Sequence, residues 1–522
     1  MADPAPRPPV NPWIVAIAVM ASTFMVVLDS TVVNVSLPHI AGDLSATVDE
    51  ATWTLTAYLA ANAVILPMTG WLASLFGRKR LLLLSTGGFT LTSLLCGLAP
   101  NMPVLVAVRI LQGITGGTLQ PISQAVLLEA FPPAERGKAM SFWGLGVVVA
   151  PILGPVLGGW LTDNYSWRWV FYINIPVGIA ALLLAEAYIT DPPYLKRMSG
   201  GIDYRGLSLL AIGVAALQIV LDKGQEEDWF ASGLIVVLAV VAAVAVAWFV
   251  WHELRSRNPI VDLRVFRHAG YTTGTLIMAL VMFVLFGSMV LLPVMLQTLM
   301  GYPAIEAGMA MAPRGIGSFL GMIVVGAVSA RVDHRKLLAL GLLGAGASLF
   351  WLGGITLSAG YWDLFWPQFL QGLALSLLFV PLTTLTMDAI EAEEMGNATS
   401  LYNLVRNVGG SFGIATATTL LSRWGQVNFH RLGTHVDVYA PAATGMLHDL
   451  AGGFVARGSD AFSARQQALA AVYGMASQQA AAITFIQVFR VLGILCFVLL
   501  PLVLILRKPR HLSAGAVHIV AE

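Results

Sequence analysis

Arg109-Ile110-Leu111-Gln112-Gly113 lies in an apolar run, and its last three residues return 259 positions later as Leu370-Gln371-Gly372. Gly70 to Arg80, a glycine followed by a basic cluster, returns loosely as Gly326 to Lys336, an offset of about 256. The first apolar span, starting near 13, has a counterpart starting near 271, an offset of 258. Three features at one spacing describe two copies of one unit. A helix crossing ~30 Å of hydrocarbon needs about 20 apolar residues at about 1.5 Å each. Read by that length, spans fall at 13–37, 51–75, 81–99, 103–127, 139–162, 168–189, 206–221, 232–252, 271–298, 306–330, 337–358, 363–387, 399–422 and 483–506. The expected fold is all-α and polytopic, with two six-helix bundles (13–190 and 268–508), an inserted helix pair (200–256) and tails at 1–12 and 509–522, fourteen spans in all.

Composition agrees. Of 522 residues, 57% are hydrophobic and 11% charged, and the mean hydropathy is +0.77. Soluble domains carry about 25% charged residues, and disorder needs low hydrophobicity. A net charge of +1 gives no basic field for nucleic acid. Cys96 and Cys496 sit apart in apolar runs and make no CxxC site. No cleavable leader is expected, because residues 1–12 are a Pro-rich tail and the first apolar run is too long for a signal core. Lys and Arg accumulate on the cytoplasmic side of membrane proteins. With the N-terminus inside, inner segments hold nineteen of them and outer segments five, the other five lying in spans or at their ends. Both termini are therefore expected in the cytoplasm. The long outer segment 423–482, whose Gln466–Ala482 end reads as helix, is either a solvated linker or a docking surface.

Several motifs together carry a family resemblance. Leu28-Asp29-Ser30-Thr31-Val32-Val33-Asn34-Val35-Ser36-Leu37-Pro38 resembles the first-span signature of fourteen-span drug:proton antiporters in the major facilitator superfamily. Arg109 to Gly113 is similar to that superfamily's span-4 motif, and Gly154-Pro155-Val156-Leu157-Gly158-Gly159 to its span-5 antiporter motif. Trp167-Arg168-Trp169-Val170-Phe171-Tyr172-Ile173-Asn174-Ile175-Pro176-Val177-Gly178 and Leu221-Asp222-Lys223-Gly224 resemble the fourteen-span branch, and within it the EmrB type of export subunit. The resemblance implies the major facilitator fold, a proton gradient in place of a cofactor, and residence in a bacterial inner membrane. It also implies a periplasmic adaptor (membrane fusion) protein and an outer-membrane channel as partners. One departure stands out: Ser74 occupies the place of the acid usual after span 2, so a charge latch built on that acid cannot be carried over.

An ionisable group deep in a span is costly and marks function by default. Asp29 lies 16 residues past Trp13, in the outer part of the membrane, and suits a proton held in one state and released in another. The alternative is a neutral acid that packs span 1 through hydrogen bonds. The repeat offset carries Asp29 onto Gly287, so the second half lacks this acid. Arg109, Gln112, Gly116 and Gln120 share one helical face at i, i+3, i+7 and i+11. Arg109 is expected near the cytoplasmic end of span 4, at a depth that separates it from Asp29 and calls for a connecting cavity or water chain. A loop-anchoring arginine is the alternative. Asn34, Tyr58, Asn62, Gln368, Gln371, Asn403 and Asn407 are further cavity candidates, each alternatively an interhelical hydrogen bond. Gly154, Gly158 and Gly159 should permit close helix packing, with Pro155 bending the helix as a gate.

Other chemistries fail. Gly409-Gly410-Ser411-Phe412-Gly413 fits GxSxG inside a span rather than at a strand–helix elbow. GxxxxGK[ST] and HExxH are absent, and His430, His435 and His448 lack ligand spacing. The expected function is proton-coupled export of hydrophobic or amphipathic toxic compounds by alternating access. A dedicated metabolite carrier and a non-transporting sensor or scaffold are the alternatives.

Overall fold

The computed structural model describes residues 11–132, 135–191, 203–256, 259–329, 331–388, 390–391, 393–434 and 441–506. The tails 1–10 and 507–522, and His435, lie outside them. The chain is helical, with no strand among the described residues. In order the helices are α1 Pro12–Asp43, α2 Glu50–Phe76, α3 Arg78–Gly97, α4 Met102–Ala130, α5 Arg136–Asn164, α6 Trp169–Tyr188, α7 Tyr204–Lys223 and α8 Gly233–Arg255. Then come α9 Ala269–Thr298, α10 Glu306–Val328, α11 His334–Leu352, α12 Tyr361–Met387, α13 Met395–Gly433, α14 Pro441–Ala456 and α15 Ala461–Ile505.

Twelve of these are long and apolar enough to cross a membrane, and α5 makes a thirteenth when Arg136–Pro151 and Val156–Asn164, bent by 42°, are taken as one span. The remaining expected span, 399–422, falls within α13. That helix has ample length at 39 residues, but Asn403, Arg406 and Asn407 lower its apolarity. In lipid every backbone group must be satisfied within the protein, so helix starts are capped. Thr47 and Glu50 form a reciprocal capping box before α2, and Asn101 accepts the Val104 N–H at 3.0 Å at the start of α4.

Small residues set how closely the helices approach. Gly154 lies against Thr31 of α1, and a side chain at Gly158 would meet the Val32 carbonyl at 2.8 Å. Gly409 and Gly413, in the GxSxG match, rest on the Ala279 and Phe283 carbonyls of α9. That motif is a packing surface. The inserted helices are tied to both halves. Asp222 accepts from Thr56 of α2, and Lys223 donates to Thr52 at 2.7 Å. Past α7, Trp229 donates to Thr419 of α13 at 2.9 Å, and Arg423 of α13 pairs with Asp228 at 2.7 Å.

The long segment 423–482 is mostly helix rather than loop. Helix α13 continues to Gly433, α14 follows, and α15 begins at Ala461. At about 1.5 Å per residue, the 39 residues of α13 and 45 of α15 reach about 58 and 68 Å, well beyond a ~30 Å hydrocarbon layer. Both project from the face opposite the basic clusters Arg78–Arg80, Arg136–Lys138 and Arg335–Lys336, here termed the basic face. Named contacts between the halves gather toward the basic face. Gly70 donates its N–H to Ser400 at 3.0 Å, Gly144 meets Met322, and Trp143 stacks on Phe379 at 5.9 Å.

Candidate functional site

Asp29 of α1 is wholly buried in the first half, and three side chains from two other helices, α4 and α6, point donors at it. Arg109 of α4 approaches Oδ2 with Nη1 at 2.6 Å. Gln112, one turn on, donates to Oδ1 at 3.2 Å, and Asn174 of α6 donates to the same oxygen at 2.8 Å. Arg109 also donates to the Thr54 carbonyl at 3.1 Å and to Gln112 Oε1 at 2.8 Å. Its guanidinium lies over the Tyr58 ring, 4.1 Å from the centroid. The Tyr58 hydroxyl is bonded in turn to the half-buried Asn62. Asn174 passes the network on to Ser93 at 2.9 Å, and Ser93 donates to the Phe171 carbonyl at 2.9 Å. Two buried atoms, Arg109 Nη2 and Asn174 Oδ1, find no partner among the described residues.

The direct ion pair corrects the expected separation of Asp29 and Arg109. Helix α1 enters from the basic face and α4 enters from the opposite one, so the start of α4 stands level with the second half of α1. No water chain is needed to join them. Gln120, past the turn at Gly117–Thr118, is bonded away from the Asp29 cluster and accepts from Arg406 of α13 at 2.6 Å. Asn174 was missed as a site residue, although it stands within the quoted Trp167–Gly178 motif.

The second half has a related centre without the acid. Gln371 donates to Ser288 at 3.0 Å, Gln368 donates to Gln371 at 3.5 Å, and Arg314 of α10 holds Gln371 Oε1 through Nε at 3.1 Å and through Nη2. Gly113 and Gly372, equivalent in the repeat, both lie too close for a side chain to the carbonyls of Tyr58 and Arg314. Arg314 thus stands where Tyr58 stands in the first half.

A third cluster spans the boundary between the halves. Asn403 of α13 donates to Gln124 of α4 at 2.6 Å, beside the Arg406–Gln120 bond, and Asn407 lies 3.4 Å from Arg406. Asn34 is exposed and stands apart from all three clusters. Gly154 and Gly158 seat α5 on α1, whereas a side chain at Gly159 would meet nothing within 4 Å. The backbone at Pro155 falls in the bend of α5, and its side chain lies outside the described residues. Near Ser74, which bonds the Trp71 carbonyl at 2.7 Å, the acid at the basic turn is Asp191, accepting from the Lys79 N–H at 2.8 Å, while Arg78 pairs with Glu129. No group of three or more potential metal ligands occurs among the described residues.

These centres can hold and release charge but contain no nucleophile–base pair. The family profile described as Major Facilitator Superfamily matches residues 19–414. Multidrug export protein EmrB of Escherichia coli (strain K12) is 40% identical over 441 residues, 84% of this chain and 86% of that one. Fatty acid resistance protein FarB of Neisseria gonorrhoeae is 37% identical over 506 residues, covering 96% and 97% of the two chains. Among solved structures, the human organic anion transporter MFSD10 superposes with a TM-score of 0.58 at 15% identity, over 94% of this chain and 100% of that one, a likeness of fold.

Proposed function

The chain belongs to the Major Facilitator Superfamily, a multi-pass membrane transporter rather than an enzyme, and on that premise we propose that it is a proton-coupled multidrug efflux pump working by alternating access. The observation that carries this reading is the sealed Asp29–Arg109 pair. Protonating Asp29 removes the charge from an acceptor shared by α1, α4 and α6. Arg109 is then left with neutral partners, and the bonds that hold the three helices together weaken. Asp29 has no exposure in this state, in which the halves meet toward the basic face. Proton exchange therefore belongs to a conformation that opens the pair to one side.

The nineteen-to-five distribution of Lys and Arg supports placing the basic face and both termini in the cytoplasm, and the membrane is then a bacterial inner membrane. Relatives named as multidrug export proteins support hydrophobic or amphipathic drugs as cargo. No cofactor enters the cycle, because the proton gradient drives it. The projecting ends of α13 and α15 with α14, where Phe462 and Tyr473 are exposed, support docking of a periplasmic adaptor protein and, through it, an outer-membrane channel. The pump is then the inner-membrane part of a three-component assembly.

The test is drug uptake into inverted vesicles under an imposed pH gradient, using a chemically diverse panel and an uncoupler control. Uptake of several unrelated compounds that the uncoupler stops is expected. A single accepted compound would favour a dedicated metabolite carrier, and no uptake at all would remove the transport reading.

A further inference from the structure

Two arginines within the second half have no acid to answer them among the described residues. Arg109 has Asp29 at 2.6 Å, but Arg314 holds an amide, Gln371, and Arg406 holds Gln120 at 2.6 Å and Asn407 at 3.4 Å. Helices α9–α13 and α15 contain only two acidic residues, Glu306 and Asp363, each in the first turn of its helix. The interior of this half is therefore net positive, and a buried cation without a counter-ion is costly to keep unless something else supplies the charge.

Arg406 is the better placed of the two. It is 6% exposed, its Nη1 has no partner among the described residues, and it faces α4 across the boundary between the halves. Asn403 Oδ1 and Gln124 Nε2, beside it, are also buried and without a partner among the described residues. Phe379 lies 6.0 Å from the guanidinium and stacks on Trp143, an aromatic wall next to the charge.

We propose that Arg406 binds the anionic head of an amphiphilic cargo, a carboxylate or sulfonate on an apolar tail, and that Gln120 competes with that head for the guanidinium. Gln120 and Arg406 belong to different halves, so opening on the basic face separates them and strips the guanidinium of the acceptor that Gln120 supplies from the other half. An anion then replaces the amide with a charge-assisted, bidentate pair, the strongest bond available to arginine in a low-dielectric site. Trp143 and Phe379 receive the tail. Closure returns Gln120 to Arg406 and displaces the head, so the same movement that seals the basic face releases cargo toward the other. Amphiphilic cations meet repulsion from Arg406, and the acids of these helices, Glu306 and Asp363, stand apart from it in first turns.

This inference rests on the export reading for its direction, but its test reads binding without any gradient, so the two fail separately. The full chain in lipid nanodiscs is titrated calorimetrically with dodecanoate and with dodecyltrimethylammonium. Arg406→Gln should weaken dodecanoate about tenfold or more and leave the cation unchanged, with Arg406→Lys recovering part of the loss. Gln120→Ala, which removes the competitor, should tighten dodecanoate several-fold. Unchanged dodecanoate binding in Arg406→Gln, equal losses for both amphiphiles, or no tightening in Gln120→Ala each overturns the proposal. The last result suffices where Arg406→Gln fails to fold.

Discussion

Gln112 and Gln371 occupy matching places in the two halves, each preceding a glycine that lets a neighbouring helix approach to backbone contact. Their surroundings differ in one decisive respect. Gln112 shares its bonds with Asp29 and Arg109, while Gln371 meets Ser288 and Arg314. The repeat conserves the packing and leaves the charge free to diverge. One half can change its net charge by a proton; the other keeps a fixed positive interior. On the proposed reading the two repeats divide coupling and cargo selection between them.

The largest break in this comparison comes from the first half. Asp29→Asn should abolish gradient-driven efflux while leaving part of the drug binding, measured by uptake and by titration on the same preparation. Normal pumping by that variant would move coupling elsewhere. Arg109→Ala should also stop transport, and because it strands Asp29 as an uncompensated buried charge it should cost about 3–5 kcal/mol of stability in denaturation of the purified chain. Its counterpart by the repeat offset, Gln368→Ala, loses only a weak amide bond and should cost about 0.5–1.5 kcal/mol; equal losses at the two sites would erase the contrast. Gly113→Ala and Gly372→Ala test what the halves share, and each should cost about 1–3 kcal/mol through overpacking. The smallest effect belongs to Gly159→Ala, where nothing lies within 4 Å, with stability expected within about 0.5 kcal/mol of the parent.

Much of this was legible in the sequence because membranes impose simple rules. The Leu-Gln-Gly recurrence exposes the repeat, and the cost of a buried acid singles out Asp29. The depth of Arg109 follows from the direction of α4, which in the alternating order of the helices starts on the face opposite the basic clusters and so brings its early residues level with Asp29. Gln120 bonds across the boundary to Arg406, a partner that spacing along α4 alone does not name. Asn174 was overlooked as a donor because its aim at Asp29 depends on how α6 starts, with turns about Trp169–Tyr172 and Ile173 that no periodicity reveals. Within 423–482 the Ala- and Gln-rich stretch Gln466–Ala482 is legible as helix, whereas the extension of α13 to Gly433 and the whole of α14 are not, because outside lipid no hydrophobic length marks a helix.

The inserted pair has a mechanical consequence. Through Asp222 and Lys223 it grips α2, and through Asp228 and Trp229 it grips α13, so it forms a strap from one half to the other. Any parting of the halves at that end must either carry the strap along or rupture these bonds. The extra helices then act as a limit stop, fixing how wide the far mouth gapes and hence the bulk of what can leave.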